Sequence, residues 1–177
     1  MTEAIAALHK QHLDVTVIIT GSASGPIRAR TLAQVQEIVA REGIGSLVRI
    51  LGYVDDAVMT ALYAGASGML LPTFFGPTNI PVIEAWAMGV PVLTSDIRGI
   101  REQCGDAAIL VDPQSTEDIA EGIRRLWTDG TLRERLVAAG TERLKGNEPA
   151  AFRDGLASII RDVERTVRTR EPKPMPA

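Results

Sequence analysis

The sequence predicts an α/β protein built on a doubly wound parallel sheet. Apolar, β-branched stretches of strand length alternate along the chain with amphipathic stretches of helical period. No hairpin signal joins two apolar stretches, so consecutive strands need helical crossovers. Aromatic residues make up only 4% of the chain, which leaves aliphatic side chains to fill the interior, as is typical of parallel sheets covered by helices.

The first half of the chain alternates three helices with three strands. In order, the pattern predicts a helix at 2–12, a strand at 14–20, a helix at 27–41, a strand at 47–53, a helix from Asp55 or Asp56 to Ala64, and a strand at 68–73. Gly21 stops the first strand, and Gly43 follows the second helix as a C-terminal glycine. An aspartate at 55 or 56 is a favoured helix N-cap.

The second half continues the alternation and ends in helices. We predict a helix at 80–88, a strand at 91–96, a short helix at 99–103, a strand at 107–112, and helices at about 115–128, 131–145 and 149–168. A length of 177 residues fits one domain. We assign that domain to residues 1–169 and predict a disordered tail at 170–177, which ends in EPKPMPA.

Composition narrows the classes of partner. The net charge is -3, from 19 basic and 22 acidic residues in mixed order, so we expect no nucleic-acid partner. The longest apolar runs are of strand length, so we expect no membrane insertion. Cys104 is the single cysteine and fits a reducing compartment, with the cytoplasm as the expected location. Neither a metal site nor a cofactor is predicted.

The loop after the third strand is the strongest candidate for a binding site. In parallel sheets, ligands bind beyond the carboxyl ends of the strands, where helix N-termini direct free N–H groups into the crevice. The loop FFGPTN at 74–79 sets glycine, proline and small polar residues directly before a helix. About one turn inside that helix, the Glu84 carboxylate can accept from two vicinal hydroxyls. Amides holding a diphosphate and Glu84 holding a ribose would together describe a sugar nucleotide.

Each of these residues also has a structural explanation. A glutamate near a helix N-terminus is favoured by the helix dipole, which alone could account for Glu84. Spacing by itself favours Gly21 and Gly52 as strand terminators. Arg98 and Arg101 follow the fourth strand, and the sequence favours neither an anion nor solvent as what they face.

A family resemblance extends these local patterns. The segment LLPTFFGPTNIPVIEAWAMGVPVLTSDIRGIREQCGDAAILVDP resembles the C-terminal domain of the group 1, or family 4, retaining glycosyltransferases, which have the two-domain GT-B fold. Less sharply, VIITG, VRILGYVDDAVMTALYAGA and STEDIAEGIRRLWTDGTLRERLVAAGTERL resemble it too. The resemblance implies a Rossmann-like domain. It also implies transfer of a hexosyl group from a nucleoside diphosphate sugar to an acceptor hydroxyl, with retention and without a metal.

The resemblance also implies roles for individual residues. Glu84 matches the second glutamate of the family's Glu-x7-Glu pattern, which binds the donor ribose. By position, the amides of Thr78, Asn79 and Ile80 would face the diphosphate or sugar, and the turn at 52–54 would border the base. We predict that the donor-binding residues are Gly21, Gly52, Tyr53, Gly76, Pro77, Thr78, Asn79, Ile80 and Glu84. No catalytic residue is assigned.

Two departures from the family pattern affect the predicted chemistry. Gly76 stands eight positions before Glu84, where the family commonly has a carboxylate near the donor sugar. The family's pyrophosphate-clamping Arg and Lys lie on the domain's first strand and following helix, and Lys10, Lys145 and Lys173 do not occupy such positions. The resemblance thus implies a domain without its first strand, and a separate N-terminal domain that binds an acceptor glycan or glycolipid.

These departures lead to expectations and leave alternatives. We expect the 177 residues alone to bind donor weakly and transfer no sugar, and an uncovered sheet edge to favour dimerisation. The missing clamp and Gly76 favour, as an alternative, a non-catalytic nucleotide-sugar-binding or interaction module. A GT-B sugar-nucleotide epimerase lacks this loop, and a dinucleotide-binding protein needs a G-x-G-x-x-G that follows no strand here. UDP, GDP and ADP are all retained as the donor nucleotide.

Overall fold

The computed structural model describes residues 1–76, 79–145 and 149–169. Pro77, Thr78 and the predicted tail at 170–177 lie outside the described residues. The helices are α1 (Thr2–Lys10), α2 (Pro26–Arg41), α3 (Asp56–Gly65), α4 (Ile80–Ala87), α5 (Ile100–Cys104), α6 (Thr116–Thr128), α7 (Gly130–Leu144) and α8 (Pro149–Thr169). The strands are β1 (Val17–Thr20), β2 (Val48–Gly52), β3 (Met69–Leu71), β4 (Val92–Ser95) and β5 (Ala108–Val111).

The order of elements agrees with the sequence pattern, but the strands are shorter than predicted. β1 begins at Val17 rather than at 14, and β3 is limited to three residues. Pro72 directly follows β3 and has no N–H to donate, so the ladder stops there. Helix N-caps behave as expected where an aspartate or serine is present: the Asp55 carboxylate accepts from the Val58 amide at 2.8 Å.

All strand pairs are parallel, as predicted, but they form two sheets rather than one. β1 pairs with β2, and the order of the second sheet is β3-β4-β5. Val17 is opposite Val48 in the first sheet, while Met69, Val92 and Ala108 align across the second. Within the described ranges, no strand pairs with the second edge of β1 or with the second edge of β3.

Two apolar clusters cover opposite faces of the strands. One joins α1 and α6 with inward side chains of both sheets, including Val17 and Leu93. The other joins α4 and α5 with the opposite face of β4, where Trp86 is 4% exposed and donates through Nε1 to the Ala107 carbonyl at 3.2 Å. Helices on both faces of parallel strands make the domain doubly wound, as the sequence predicts.

Helix α8 carries a stripe of exposed apolar residues in the part whose side chains the structure describes. The exposed apolar residues of α8 recur at helical spacing and form one stripe: Leu156, Ile159, Ile160, Val163 and Val167. In the part of the chain that the structure describes, no helix is long and apolar enough to cross a bilayer.

Candidate functional site

The loop after β3 is tied to the neighbouring strand at its start. The Thr73 amide donates to Ser95 Oγ at 2.6 Å, and Ser95 is fully buried at the end of β4. Thr73 Oγ1 in turn donates to the Phe75 carbonyl at 2.8 Å. Backbone and side-chain hydrogen bonds therefore fix the first residues of the predicted binding loop.

The end of the same loop is held by one side chain from α5. Gln103 Oε1 accepts from the Asn79 amide at 2.9 Å, and Gln103 Nε2 donates to the Asn79 carbonyl at 3.1 Å. A single amide group thus satisfies both backbone groups of Asn79. This pair of bonds connects the residue before α4 to α5, which packs against the same apolar cluster.

A side chain at Gly76 would displace the side chain of Asn79. Its φ is +150°, and a Cβ there would lie 2.8 Å from Asn79 Oδ1. The Asn79 side chain thus occupies space next to the position where the family commonly has a carboxylate. Asn79 Nδ2 is buried and has no hydrogen-bond partner among the described residues.

The N-terminus of α4 offers fewer free amides than predicted. The expectation that the Asn79 amide faces an anion is wrong in this structure, because that amide donates to Gln103. Pro81 has no N–H, and the Val82 amide donates to the Asn79 carbonyl at 3.2 Å. In this turn the Ile80 amide is left without a partner among the described residues, and the Ile80 side chain is 69% exposed.

Glu84 is exposed on α4 and is contacted by a tyrosine from α3. Tyr63 Oη donates to Glu84 Oε2 at 3.3 Å. Burial, together with the Glu84 charge and this hydrogen bond, raises the pKa of Tyr63 to about 12. Tyr63 therefore stays a neutral donor at physiological pH and orients one carboxylate oxygen of Glu84.

A cavity of about 730 Å³ lies beside this loop and the loop after β4. It is lined by Phe74, Phe75, Gly76, Ile97, Arg98, Gly99 and Glu102. Of the two arginines left open by the sequence, Arg98 lines the cavity, whereas Arg101 Nε donates to Asp96 Oδ1 at 2.5 Å and lowers the pKa of that carboxyl. Nowhere in the described ranges do three or more His, Cys, Asp or Glu side chains form a group that could hold a metal ion.

The other predicted site residues form a separate pair at the carboxyl ends of β1 and β2. The Gly21 amide donates to the Gly52 carbonyl at 2.9 Å. Both residues have positive φ, +132° and +73°, a backbone region that favours glycine. Tyr53 follows them and is 80% exposed. Pro77 and Thr78 lie outside the described residues, so their predicted roles stay predictions.

Sequence reasoning missed three residues that position this site. Tyr63, Ser95 and Gln103 contact Glu84, Thr73 and Asn79, partners that lie 21, 22 and 24 residues away in sequence. Gln103 offers only a weak signal in the sequence: it is a polar residue beside the apolar Cys104 in a short predicted helix. No local motif identifies the partners.

We predict that Gln103→Leu weakens the loop anchor. The substitution leaves the part-buried Asn79 N–H and C=O without partners, which lowers the free energy of unfolding by about 1 kcal/mol and speeds hydrogen exchange at the Asn79 amide. Urea unfolding and NMR exchange measure the two effects. Gln36→Leu, at an exposed helical glutamine, is the matched control and changes neither quantity. Equal behaviour of the two variants would contradict the anchor.

We predict an alkaline loss of stability that depends on Tyr63. Its pKa is about 12 in the folded chain and 10.0 in its ordinary state, so between those values the unfolded chain releases the proton first. The stabilisation is complete below pH 10 and is lost as the pH rises towards 12. Urea unfolding across this range should show a steeper decline for the unmodified chain than for Tyr63→Phe. Parallel declines of the two chains would show that folding does not raise the pKa of Tyr63.

The comparisons with known proteins agree with this architecture. The family model described as "Glycosyl transferases group 1" matches residues 1–129. An O-antigen chain mannosyltransferase B from Escherichia coli is 35% identical over 114 residues, which are 64% of this chain and 29% of that protein. An alpha-D-kanosaminyltransferase from Streptomyces kanamyceticus is 27% identical over 91% of this chain and 41% of its own length. The crystal structure of Anabaena HepE in complex with UDP-glucose matches 91% of this chain and 44% of that chain, with a TM-score of 0.75 and 20% identity.

The fold is that of an α/β domain of the GT-B class. This chain belongs to the family of group 1 glycosyl transferases. It spans less than half the length of the curated relatives described above.

Proposed function

We propose that this chain is the donor-binding domain of a glycosyltransferase that moves a hexosyl group from a nucleoside diphosphate sugar to an acceptor hydroxyl. The observation that carries the proposal is the glycine- and proline-containing loop before α4, which is anchored at both ends and lies beside a cavity. The exposed carboxylate of Glu84 follows four residues after the start of that helix. Membership of the family supports it. The UDP-glucose complex of a protein with the same fold supports a nucleotide sugar as the ligand class.

The proposed site divides the donor between two binding elements. The diphosphate lies at the Ile80 amide, where the positive end of the α4 dipole favours an anion. Arg98 adds a positive charge on the cavity wall. The ribose lies at Glu84, whose carboxylate accepts from two hydroxyls while Tyr63 holds one oxygen in place. The cavity of about 730 Å³ beside the loop is lined by Gly76 and Arg98 but not by Ile80 or Glu84, and its volume falls in the ordinary range for small-molecule sites.

The proposed reaction breaks the bond between the anomeric carbon and the diphosphate oxygen. A bond forms from the same carbon to the acceptor oxygen, the acceptor proton is released, and the nucleoside diphosphate leaves. Negative charge grows on the leaving diphosphate, and fixed dipoles and Arg98 are suited to stabilise it. Retention at the anomeric carbon is proposed from the family pattern.

The finer assignments are also proposals. We assign the binding of the acceptor, a glycan or glycolipid, to a further domain, because the relatives are longer than this chain. UDP, GDP and ADP are proposed donor nucleotides, and the cytoplasm is the proposed location. Without the family's Arg and Lys clamp, we propose that the 177 residues bind donor and transfer no sugar.

A second candidate is a non-catalytic nucleotide-sugar-binding module. Its support is Gly76, because the Asn79 side chain fills the space beside the position where the family has a carboxylate. If a form of the protein that contains an acceptor domain binds nucleotide sugar yet neither transfers nor hydrolyses it with any acceptor, this candidate replaces the first.

Calorimetric titration with UDP, GDP and ADP tests the proposed binding. We expect at least one of them to bind with a Kd near 1 mM, about −4 kcal/mol, because the site has a helix terminus, Arg98 and Glu84 but lacks the family's clamp. Adenosine without phosphates is the matched control for the diphosphate contribution. No heat with any nucleotide at several times that concentration would rule out the donor site.

A further inference from the structure

A second cleft, of about 300 Å³, lies beside α6 and α7 at the outer edge of β5. Arg125 of α6 and Arg135 of α7 both line it, and both side chains are exposed to solvent. The cleft shares no lining residue with the cavity beside the loop after β3. Two positive charges therefore converge at a place that the proposed donor site does not use.

Arg135 has no counter-ion in the described part of the chain. Its side chain makes no hydrogen bond or ion pair with a described residue. A carboxylate on α7 would have to stand three or four positions away to reach it, and those positions hold uncharged residues: Thr131, Leu132, Ala138 and Ala139. The charge of Arg135 is therefore available to a ligand in the cleft.

Arg125 is likewise unpaired among the described residues. The carboxylate one turn before it, Glu121, is 3.3 Å from Arg124 Nε and is held by that arginine. Asp106 is the one carboxylate among the residues that line the cleft, and its Oδ1 lies 3.7 Å from Arg143 Nη2. Because Arg143 already offsets Asp106, the cleft keeps an excess of positive charge.

The outer edge of β5 adds a backbone donor. The Val111 carbonyl accepts from the Asp96 amide at 2.7 Å, so the backbone groups of Val111 face β4. Alternate residues of a parallel strand face opposite neighbours, and the Leu110 N–H is therefore directed away from β4. β5 is the last strand of its sheet in the described chain, and Leu110 lines the cleft. Two guanidinium groups and one N–H without a strand partner thus border the same space.

We propose that this cleft binds a phosphate-sized oxyanion, either free or as the phosphate group of a small ester. Guanidinium groups present paired N–H donors that match the oxygens of a phosphate. The buried side chains of Leu132 and Leu136 form an apolar wall, which strengthens an ionic contact beside it. A volume of about 300 Å³, against about 730 Å³ for the other cavity, favours a small phosphate ester over a nucleoside diphosphate.

Titration with inorganic phosphate tests the proposal. NMR signals of the Arg125 and Arg135 side-chain Nε–H groups and of the Leu110 amide are followed while sodium chloride is replaced by phosphate at constant ionic strength. We expect all three to shift with one Kd, on the order of 1–10 mM for an exposed site with two cations. Chloride alone, at the same ionic strength, should leave them in place.

Substitutions separate this site from general attraction to a charged surface. Arg125→Gln and Arg135→Gln should each weaken phosphate binding at least about tenfold, measured at the Leu110 amide. Arg30→Gln, at an exposed arginine of α2 that does not line the cleft, is the matched control and should leave the Kd unchanged. Thermal unfolding without phosphate checks that each variant is folded, as expected for substitutions at exposed positions.

Glycerol phosphate distinguishes the two sources of the anion. Binding at least about tenfold tighter than that of inorganic phosphate would assign the cleft to an ester, and equal binding would assign it to the free anion. Three results would overturn the proposal: no shift at either arginine up to about 50 mM of both probes, equal shifts with chloride, or an unchanged Leu110 response in the folded double variant Arg125→Gln/Arg135→Gln.

Discussion

Gly140→Ala is expected to destabilise the chain by about 2 kcal/mol, because the site is too tightly packed for a methyl group. A Cβ at Gly140 would lie 2.4 to 2.8 Å from three atoms of the Trp86 indole ring. The ring cannot move away easily, since it is 4% exposed and its Nε1 donates to the Ala107 carbonyl. Helix propensity favours alanine over glycine by about 1 kcal/mol, and the clash exceeds this gain. Urea unfolding measures the effect.

Gly155→Ala is the matched control for this packing argument. Gly155 lies in α8, and a Cβ there would meet nothing within 4 Å. Alanine should therefore stabilise the helix by about 0.5–1 kcal/mol, the opposite sign from Gly140→Ala. Because Trp86 and Glu84 share α4, Gly140→Ala should also weaken nucleotide binding. A Gly140→Ala chain as stable as the original would show that α4 and α7 do not pack as described.

Glu84→Gln is expected to weaken nucleotide binding about tenfold and to leave the unfolding temperature nearly unchanged. Glutamine keeps the size of the side chain but loses the charge and one of the two oxygens that accept from ribose hydroxyls. Stability changes little because Glu84 is exposed and its described partner is the Tyr63 hydroxyl at 3.3 Å. Calorimetry with the nucleotide that binds best, together with thermal unfolding, separates the two quantities.

Glu134→Gln is the control for the general effect of removing one negative charge. Glu134 is exposed on α7, away from the cavity beside the loop after β3. Its substitution should leave both binding and stability as they are. A Glu84→Gln chain that loses stability but keeps its affinity would identify Glu84 as a structural residue of the helix.

Local patterns were sufficient to predict most elements of the fold. The apolar runs and helical spacings identify the strands and helices because each element buries one face, and the Asp55 cap forms as its residue type predicts. The division of the strands into two sheets was not predictable from these runs. Strand pairing depends on contacts between distant segments, and the run that forms β3 looks the same whether its second edge is paired or free.

In the candidate site, the positions that require glycine were predictable from the sequence. The positive φ values of Gly21, Gly52 and Gly76 agree with glycine as a required residue at the ends of strands and in a tight loop. The Asn79 amide was expected to be free because a helix N-terminus leaves amides unpaired. Gln103 satisfies that amide from a helix 24 residues further along, and no local rule describes such a contact.

Residue-resolved NMR during titration with the best-binding nucleoside diphosphate tests the central claim most directly. The donor-site account predicts shifts at Ile80, Glu84 and Arg98 that saturate with one Kd. The cleft of about 300 Å³ beside α6 and α7 is the competing position for an anion, because Arg125 and Arg135 line it. Signals from those two arginines should stay in place. Shifts confined to Arg125 and Arg135, with Ile80 and Glu84 unmoved, would contradict a nucleotide-sugar site at the start of α4.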